Sequence, residues 1–219
     1  MTTRAEEAAE AVDQYTARTI PVHVELDHGQ VVLSAPEMEE LLHGTGRIAL
    51  GPCACRRSAG RCDGPLETCL TLGKSAEENI ADEPGWREIS LEEALAVLER
   101  SHRAGLVPLA YRQAEGEISV VCCCCSCCCW FLTALRRFDY HDAIAESAYK
   151  AAQDVDRCVG CGVCIERCPF DAWHRDEADG PVRLASSRCF GCGLCVSTCP
   201  EGAVSLVPRE AAVPSHAES

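Results

Sequence analysis

The sequence predicts an α+β protein in two parts: a mixed α/β module over 1–150 and a compact metal-binding unit over 151–208, followed by a flexible tail at 209–219. Three observations carry this reading. Nineteen cysteines are spread unevenly over 219 residues, so they divide the chain better than its length does. Alternating apolar runs and one well-capped helix fill the region before residue 150. From residue 158 onward a short cysteine pattern occurs twice in register.

The elements follow in order. Residues 4–18 have the spacing of an amphipathic helix. Ile20 to Leu33 alternates like a strand pair broken at Asp27-His28-Gly29-Gln30, a hairpin signal. Pro36, Glu37, Glu39 and Glu40, with Gly44 beyond, mark a short helix at 36–43. Arg47 to Leu50 reads as a short buried strand that delivers Gly51-Pro52-Cys53-Ala54-Cys55. Asp63-Gly64-Pro65 reads as the opening of a helix through Leu72, with Gly73 as its stop. Ser90-Leu91-Glu92-Glu93 is a capping box. It starts a helix at 91–103 whose apolar stripe is Leu91, Ala94, Leu95 and Leu98, closed by Gly105. Leu106 to Tyr111 and Glu117 to Val121 can pair around Ala114-Glu115-Gly116, and the second strand runs into Cys122–Cys129. Phe131 to Arg137 and 141–152 read as helical, and 209–219 is polar, alanine-rich and frayed.

Composition excludes several classes. The net charge of −14 repels nucleic-acid phosphates. It suits docking on a basic surface of a partner protein, where charge raises the encounter rate. Ile118 to Leu135 carries no charged residue, almost a membrane-span length. Seven of its positions are cysteine, however, and Arg136-Arg137 follows, so it reads as a metal-binding segment rather than a span. Met1 to Glu7 runs into an acidic, alanine-rich pattern with no apolar leader core. The expectation is a cytoplasmic, reducing setting, where an odd set of thiols serves as metal ligands rather than as disulfides. Neither a P-loop nor a G-x-G-x-x-G run is present, so no nucleotide site is expected.

Cys158, Cys161, Cys164 and Cys168 are followed by Pro169; Cys189, Cys192, Cys195 and Cys199 are followed by Pro200. The two runs lie 31 residues apart, with Gly160, Gly162 and Ala172 matching Gly191, Gly193 and Ala203. This is C-x2-C-x2-C-x3-C-P twice, the spacing of four-iron clusters in which the fourth cysteine serves the other cluster. Three closely spaced cysteines let one loop wrap a cube, and the glycines permit positive φ and close backbone approach. One ligand set is then Cys158, Cys161, Cys164 and Cys199; the other is Cys189, Cys192, Cys195 and Cys168. Zinc ligation and a disulfide scaffold are the competing readings, and neither calls for two triplets that each lend a fourth ligand. Over about 155–208 the chain resembles the bacterial-type two-[4Fe–4S] ferredoxin family. The resemblance implies a pseudo-two-fold ferredoxin-like dicluster domain with a hairpin and a short helix in each half. Asp179-Gly180-Pro181, between the halves, reads as a hairpin turn.

Eleven cysteines lie upstream: Cys53, Cys55, Cys62 and Cys69, then Cys122, Cys123, Cys124, Cys125, Cys127, Cys128 and Cys129. With Glu93-Ala94-Leu95 and Gly105-Leu106-Val107, this region is similar to the N-terminal parts of bacterial and archaeal 4Fe–4S dicluster-type proteins, a likeness that brings no assigned chemistry. In an extended chain Cys122 and Cys124 face one side, Cys123 and Cys125 the other, so the block cannot converge on one cube. Ligation of several is expected, since seven free thiols are an oxidation hazard. The expectation is one additional iron–sulfur cluster held by Cys53, Cys55, Cys62 and Cys69 with part of 122–129. A heterodisulfide-reductase-type centre and a thiolate store are the other readings.

Arg56 and Arg57 are candidates to offset cluster charge, with surface solvation as the plain alternative. His102, His141 and His174 read as exposed, and Trp86, Trp130 and Trp173 as core or cover residues. The functional expectation is an iron–sulfur electron-transfer protein relaying single electrons to a redox partner protein. The alternative is a reductase subunit whose cysteine-rich centre binds substrate.

Overall fold

The structure, a computed structural model, describes residues 15–19, 24–26, 30–32, 41–113, 118–138, 144 and 146–209. Residues 4–14 of the helix expected at 4–18, most of that at 36–43, His141 and the tail beyond 209 lie outside these residues.

Strands β1 (Tyr15–Thr19), β2 (Val24–Leu26) and β3 (Gln30–Val32) come first. β2 and β3 pair as the hairpin expected from the alternation. A helical turn at 41–44 leads to β4 (Ile48–Pro52), α1 (Ala54–Ala59), β5 (Glu67–Leu72), α2 (Lys74–Asp82) and β6 (Arg87–Ile89). Then come α3 (Leu91–Arg103), β7 (Val107–Gln113), β8 (Ile118–Cys124) and α4 (Trp130–Phe138). Beyond residue 146 lie β9 (Tyr149–Gln153), α5 (Val163–Arg167), β10 (Trp173–His174), β11 (Arg183–Leu184) and β12 (Val204–Pro208).

The central sheet is six-stranded, in the order β1-β7-β8-β5-β4-β6, with every neighbouring pair antiparallel. Strand periodicity sorts its side chains onto two faces. Leu50, Leu70, Ala110, Val121 and Cys123 pack against Ala94, Val97 and Leu98 of α3. Val107, Leu109, Tyr111 and Cys124 point the other way, toward Leu132 and Leu135 of α4. The second face is continuous with Phe170, Phe190, Cys192 and Leu194, so one apolar core joins the sheet to the cysteine repeat. His102, read as exposed from sequence, is buried at this junction. Its Nε2 lies 2.7 Å from Ser197 Oγ, and Arg167 donates to the His102 carbonyl.

The capping box holds: Ser90 Oγ accepts from the Glu93 N–H at 3.1 Å. Three helix expectations fail. Glu67–Leu72 is a central strand rather than a helix, because it alternates Leu70 and Leu72 inward against Cys69 and Thr71 and pairs with both β4 and β8. Gly73, expected as a helix stop, sits at φ +55° and instead precedes α2. Tyr15–Thr19 is an edge strand on β7 rather than the end of a helix. Within 141–152, Tyr149–Gln153 is a strand paired with β12, a partner some fifty residues away that no local pattern reveals. Among the described residues no helix is long and apolar enough to cross a membrane. The uncharged run 118–135 is a strand, a turn and the start of a helix.

Candidate metal centres

Eighteen of the nineteen thiols fall into four neighbourhoods. The first is a small cavity lined by Cys158, Cys161, Cys164 and Cys199, with Trp173, Val182 and Val204 also in its wall. Its loop turns through Gly160 and Gly162, at φ +70° and +83°. Arg175 donates to the Gly160 carbonyl, and Asp154 Oδ1 accepts from the N–H groups of Asp156 and Arg157, which fixes the loop entrance. Cys164 sits in α5, while Cys199 arrives from the other half and accepts from the Ala203 N–H at 3.2 Å. Cys161 is exposed.

The second small cavity is lined by Cys168, Cys189, Cys192 and Cys195. Its loop passes so close to β9 that a Cβ on Gly191 would lie 2.0 Å from the Tyr149 carbonyl oxygen, so only glycine fits there. The Ala151 N–H donates to Cys189 Sγ at 3.3 Å. The backbone N–H groups of Ala172, Phe170 and Trp173 act on Cys168. Phe170 and Phe190 stack at 4.6 Å beside this cavity, and Trp173 lines both cavities. N–H groups aimed at sulfur are what tune a cluster's potential.

The third neighbourhood lies on the α4 face of the sheet. Cys69 and Cys122 are register partners on β5 and β8, with sulfurs 2.8 Å apart. Cys124 stands two residues further on the same face and lies 3.6 Å from the Tyr111 hydroxyl. Cys53 caps α1 at the end of β4 and Cys55 lies in its first turn, both within electrostatic reach of Cys69 and Cys124. Cys129 joins them from the start of α4. The Cys69 strand, not a helix, brings this group together.

In the fourth, Cys62 leaves its expected companions. It stands with Cys125, Cys127 and Cys128, all four sulfurs within 4.8 Å of one another. Cys123 belongs to none of these groups; it is buried under α3 on the opposite face.

Between the third and fourth groups lies Arg56, 1% exposed. Its guanidinium donates to the Pro65 carbonyl, to Thr68 Oγ1 at 3.1 Å and to the Cys123 carbonyl at 3.1 Å. Burial alone disfavours its charge, but contact with Cys125 and the nearness of Cys53 and Cys62 more than offset that. Among the described ion pairs it has no carboxylate partner, so the neighbouring thiols, once ionised or metal-bound, are the groups placed to balance its charge. Arg57 is exposed, as surface solvation would have it.

Burial and the neighbouring thiols push Cys164 and Cys55 up to about 11 and Cys195 up to about 12. Burial pushes Cys62 up as well, but the Gly64 N–H and the thiols of Cys127, Cys125 and Cys128 outweigh it and bring Cys62 down to about 7. A bound cation reverses the first trend, because a coordinating thiol is deprotonated outright.

The donor sets fit iron–sulfur clusters. Both repeat cavities carry four thiols in a largely apolar wall; the second has no carboxylate donor, and the first adds Gln153 and Glu201 at its lining. Among the described residues, no three sulfurs of either quartet approach within 4.8 Å of one another, too wide for one ion. Sequence reasoning missed the N–H donors of Ala151 and Ala203 and the shared wall of Trp173, for which the sequence carries no signal.

No curated protein matches the chain. Residues 150–200 match the family described as a 4Fe-4S dicluster domain, a match that supports iron–sulfur binding by this segment.

Proposed function

We propose that the protein is a one-electron relay carrying two [4Fe–4S] clusters in a pseudo-two-fold, ferredoxin-like unit and a third cluster on the sheet. Cys158, Cys161, Cys164 and Cys199 hold the outer cluster; Cys168, Cys189, Cys192 and Cys195 hold the inner one. The third draws four ligands from Cys53, Cys55, Cys69, Cys122, Cys124 and Cys129, with only one of Cys69 and Cys122 serving, because their sulfurs, 2.8 Å apart, stand too close for two irons of one cube. These clusters take up and pass single electrons when bound.

The observation that carries the reading is the shared core. Cys124 and Cys129 of the sheet group and Cys192 of the inner quartet pack in one buried cluster, with Cys122 and Cys168 against it. The inner quartet thus lies between the sheet group and the outer quartet, which favours a chain of three centres. The outer quartet is the surface terminus: Cys161 is exposed, and Val159 beside it is 66% exposed. Redox partners with a basic docking surface meet the acidic chain there.

The test is anaerobic stopped-flow oxidation of the reduced full chain by a basic one-electron acceptor protein. Single-electron oxidation that slows as ionic strength rises supports the relay. A reduced protein that the acceptor fails to oxidise, or oxidises at a rate that does not change with ionic strength, contradicts it.

A second reading rests on one count. The sheet group offers six thiols, two more than a cube takes. Spare thiols suit a reductase subunit whose centre binds a small disulfide. A change in the paramagnetic resonance of the sheet centre on adding such a disulfide favours this reading, and an unchanged signal favours the relay.

A further inference from the structure

The geometry points to a separate mononuclear site: Cys62, Cys125, Cys127 and Cys128 hold one tetrahedral zinc ion that ties the 60–66 loop to the turn after β8. Cys62 Sγ lies 3.7 Å from Cys125 Sγ and 3.9 Å from Cys128 Sγ, and Cys127 and Cys128 Sγ are 3.8 Å apart. Four thiolates at the zinc–sulfur distance of about 2.3 Å stand about 3.8 Å apart at the corners of a regular tetrahedron. The observed separations match that edge. A four-iron cube sets its thiolates on four different irons and needs them further apart, as in the two repeat quartets. Among the described residues this is the sole group of three or more candidate ligands drawn this close.

The surrounding chain supports a structural site. Residues 60–65 have no regular secondary structure, and Cys62 brings a thiol from that loop to the turn. The turn closes on itself through the N–H groups of Cys128 and Cys129, which donate to the Cys125 carbonyl at 3.4 and 3.1 Å. Cys125, the first residue beyond β8, Cys127 and Cys128 are thereby presented together, while Cys124 stays in the sheet. Tetrahedral sulfur ligation with four closed positions is the pattern of structural zinc. Zinc with four thiolates carries a net charge of −2. Two cations stand beside it: Arg56 contacts Cys125, and Arg61 donates to the Cys127 carbonyl at 3.2 Å.

The test uses the full chain, produced with ample iron and purified without oxygen. Metal analysis is expected to find about one zinc per chain beside the iron. Zinc-edge X-ray absorption is expected to find four sulfurs at about 2.3 Å and no iron neighbour. Cys62→Ser and Cys127→Ser are each expected to release that zinc to a chelator while iron and acid-labile sulfide stay unchanged. Wild-type absorption does not depend on how the variants fold. The proposal is overturned by loss of about four irons in Cys62→Ser, which makes this a cube. It is also overturned by loss of one iron without sulfide, or by zinc with nitrogen or oxygen neighbours in the wild type.

Discussion

The dicluster quartets and the sheet-edge quartet are each built as three plus one. In the dicluster segment a loop gives three cysteines and the other half lends a fourth, Cys199 or Cys168. At the sheet edge one turn gives Cys125, Cys127 and Cys128 and a distant loop lends Cys62. What differs is the backbone between ligands. Gly160, Gly162, Gly191 and Gly193 all sit at positive φ and hold the repeat loops wide, whereas the turn at 125–128 contains no glycine and crowds its sulfurs. Thiol count alone therefore does not name a metal centre. The conformation between the thiols sets their separation, and separation decides between one ion and a cube.

The largest expected effect breaks a wide quartet from the far side. Cys168→Ser should remove the cluster of Cys189, Cys192 and Cys195, about four irons and four sulfides, and leave the cluster of its own loop intact. Resonance spectra showing loss of the Cys158 loop cluster instead would refute the lending of fourth ligands. The next effect is on Arg56, the cation between the two upstream groups. Arg56→Met strips a buried charge from its thiol partners and orphans two carbonyls, at about 3–5 kcal/mol in anaerobic denaturation. Arg57→Met at the surface should stay within about 0.5 kcal/mol, and equal costs would discard the counter-charge role. Leu132→Ala probes the core shared by the sheet and the repeat. It should cost about 2–5 kcal/mol in one transition monitored by cluster bleaching and by circular dichroism together. Separate transitions would mean that the two parts stand apart. The smallest effect is at the junction, where Ser197→Ala should cost about 1 kcal/mol by removing one hydrogen-bond partner of His102. An unchanged midpoint would place no weight on that contact.

The repeat was legible from sequence because its chemistry is local. Eight cysteines at fixed spacing name two sets, and the chain gathers those sets about two cavities. Strand alternation likewise separates Cys122 and Cys124 from Cys123, and the sheet places them on opposite faces. Long-range pairing was not legible. Glu67–Leu72 and Tyr149–Gln153 became strands because partners far along the chain claimed them. With Glu67–Leu72 came the error over Cys69, placed in a helix beside Cys62. As a strand residue it faces Cys122, while Cys62 crosses to the turn at Cys125. Burial of His102 and Arg56 depended in the same way on surfaces that meet only in the fold.

The most direct test of the relay is the iron and acid-labile sulfide content of the full chain, purified without oxygen, read beside the spectrum of the dithionite-reduced protein. The account predicts about twelve irons and twelve sulfides per chain, from three cubes, with magnetic coupling between neighbouring reduced clusters. About eight of each would remove the sheet cluster from the path. Iron without matching sulfide would contradict the assignment of these thiols to clusters altogether.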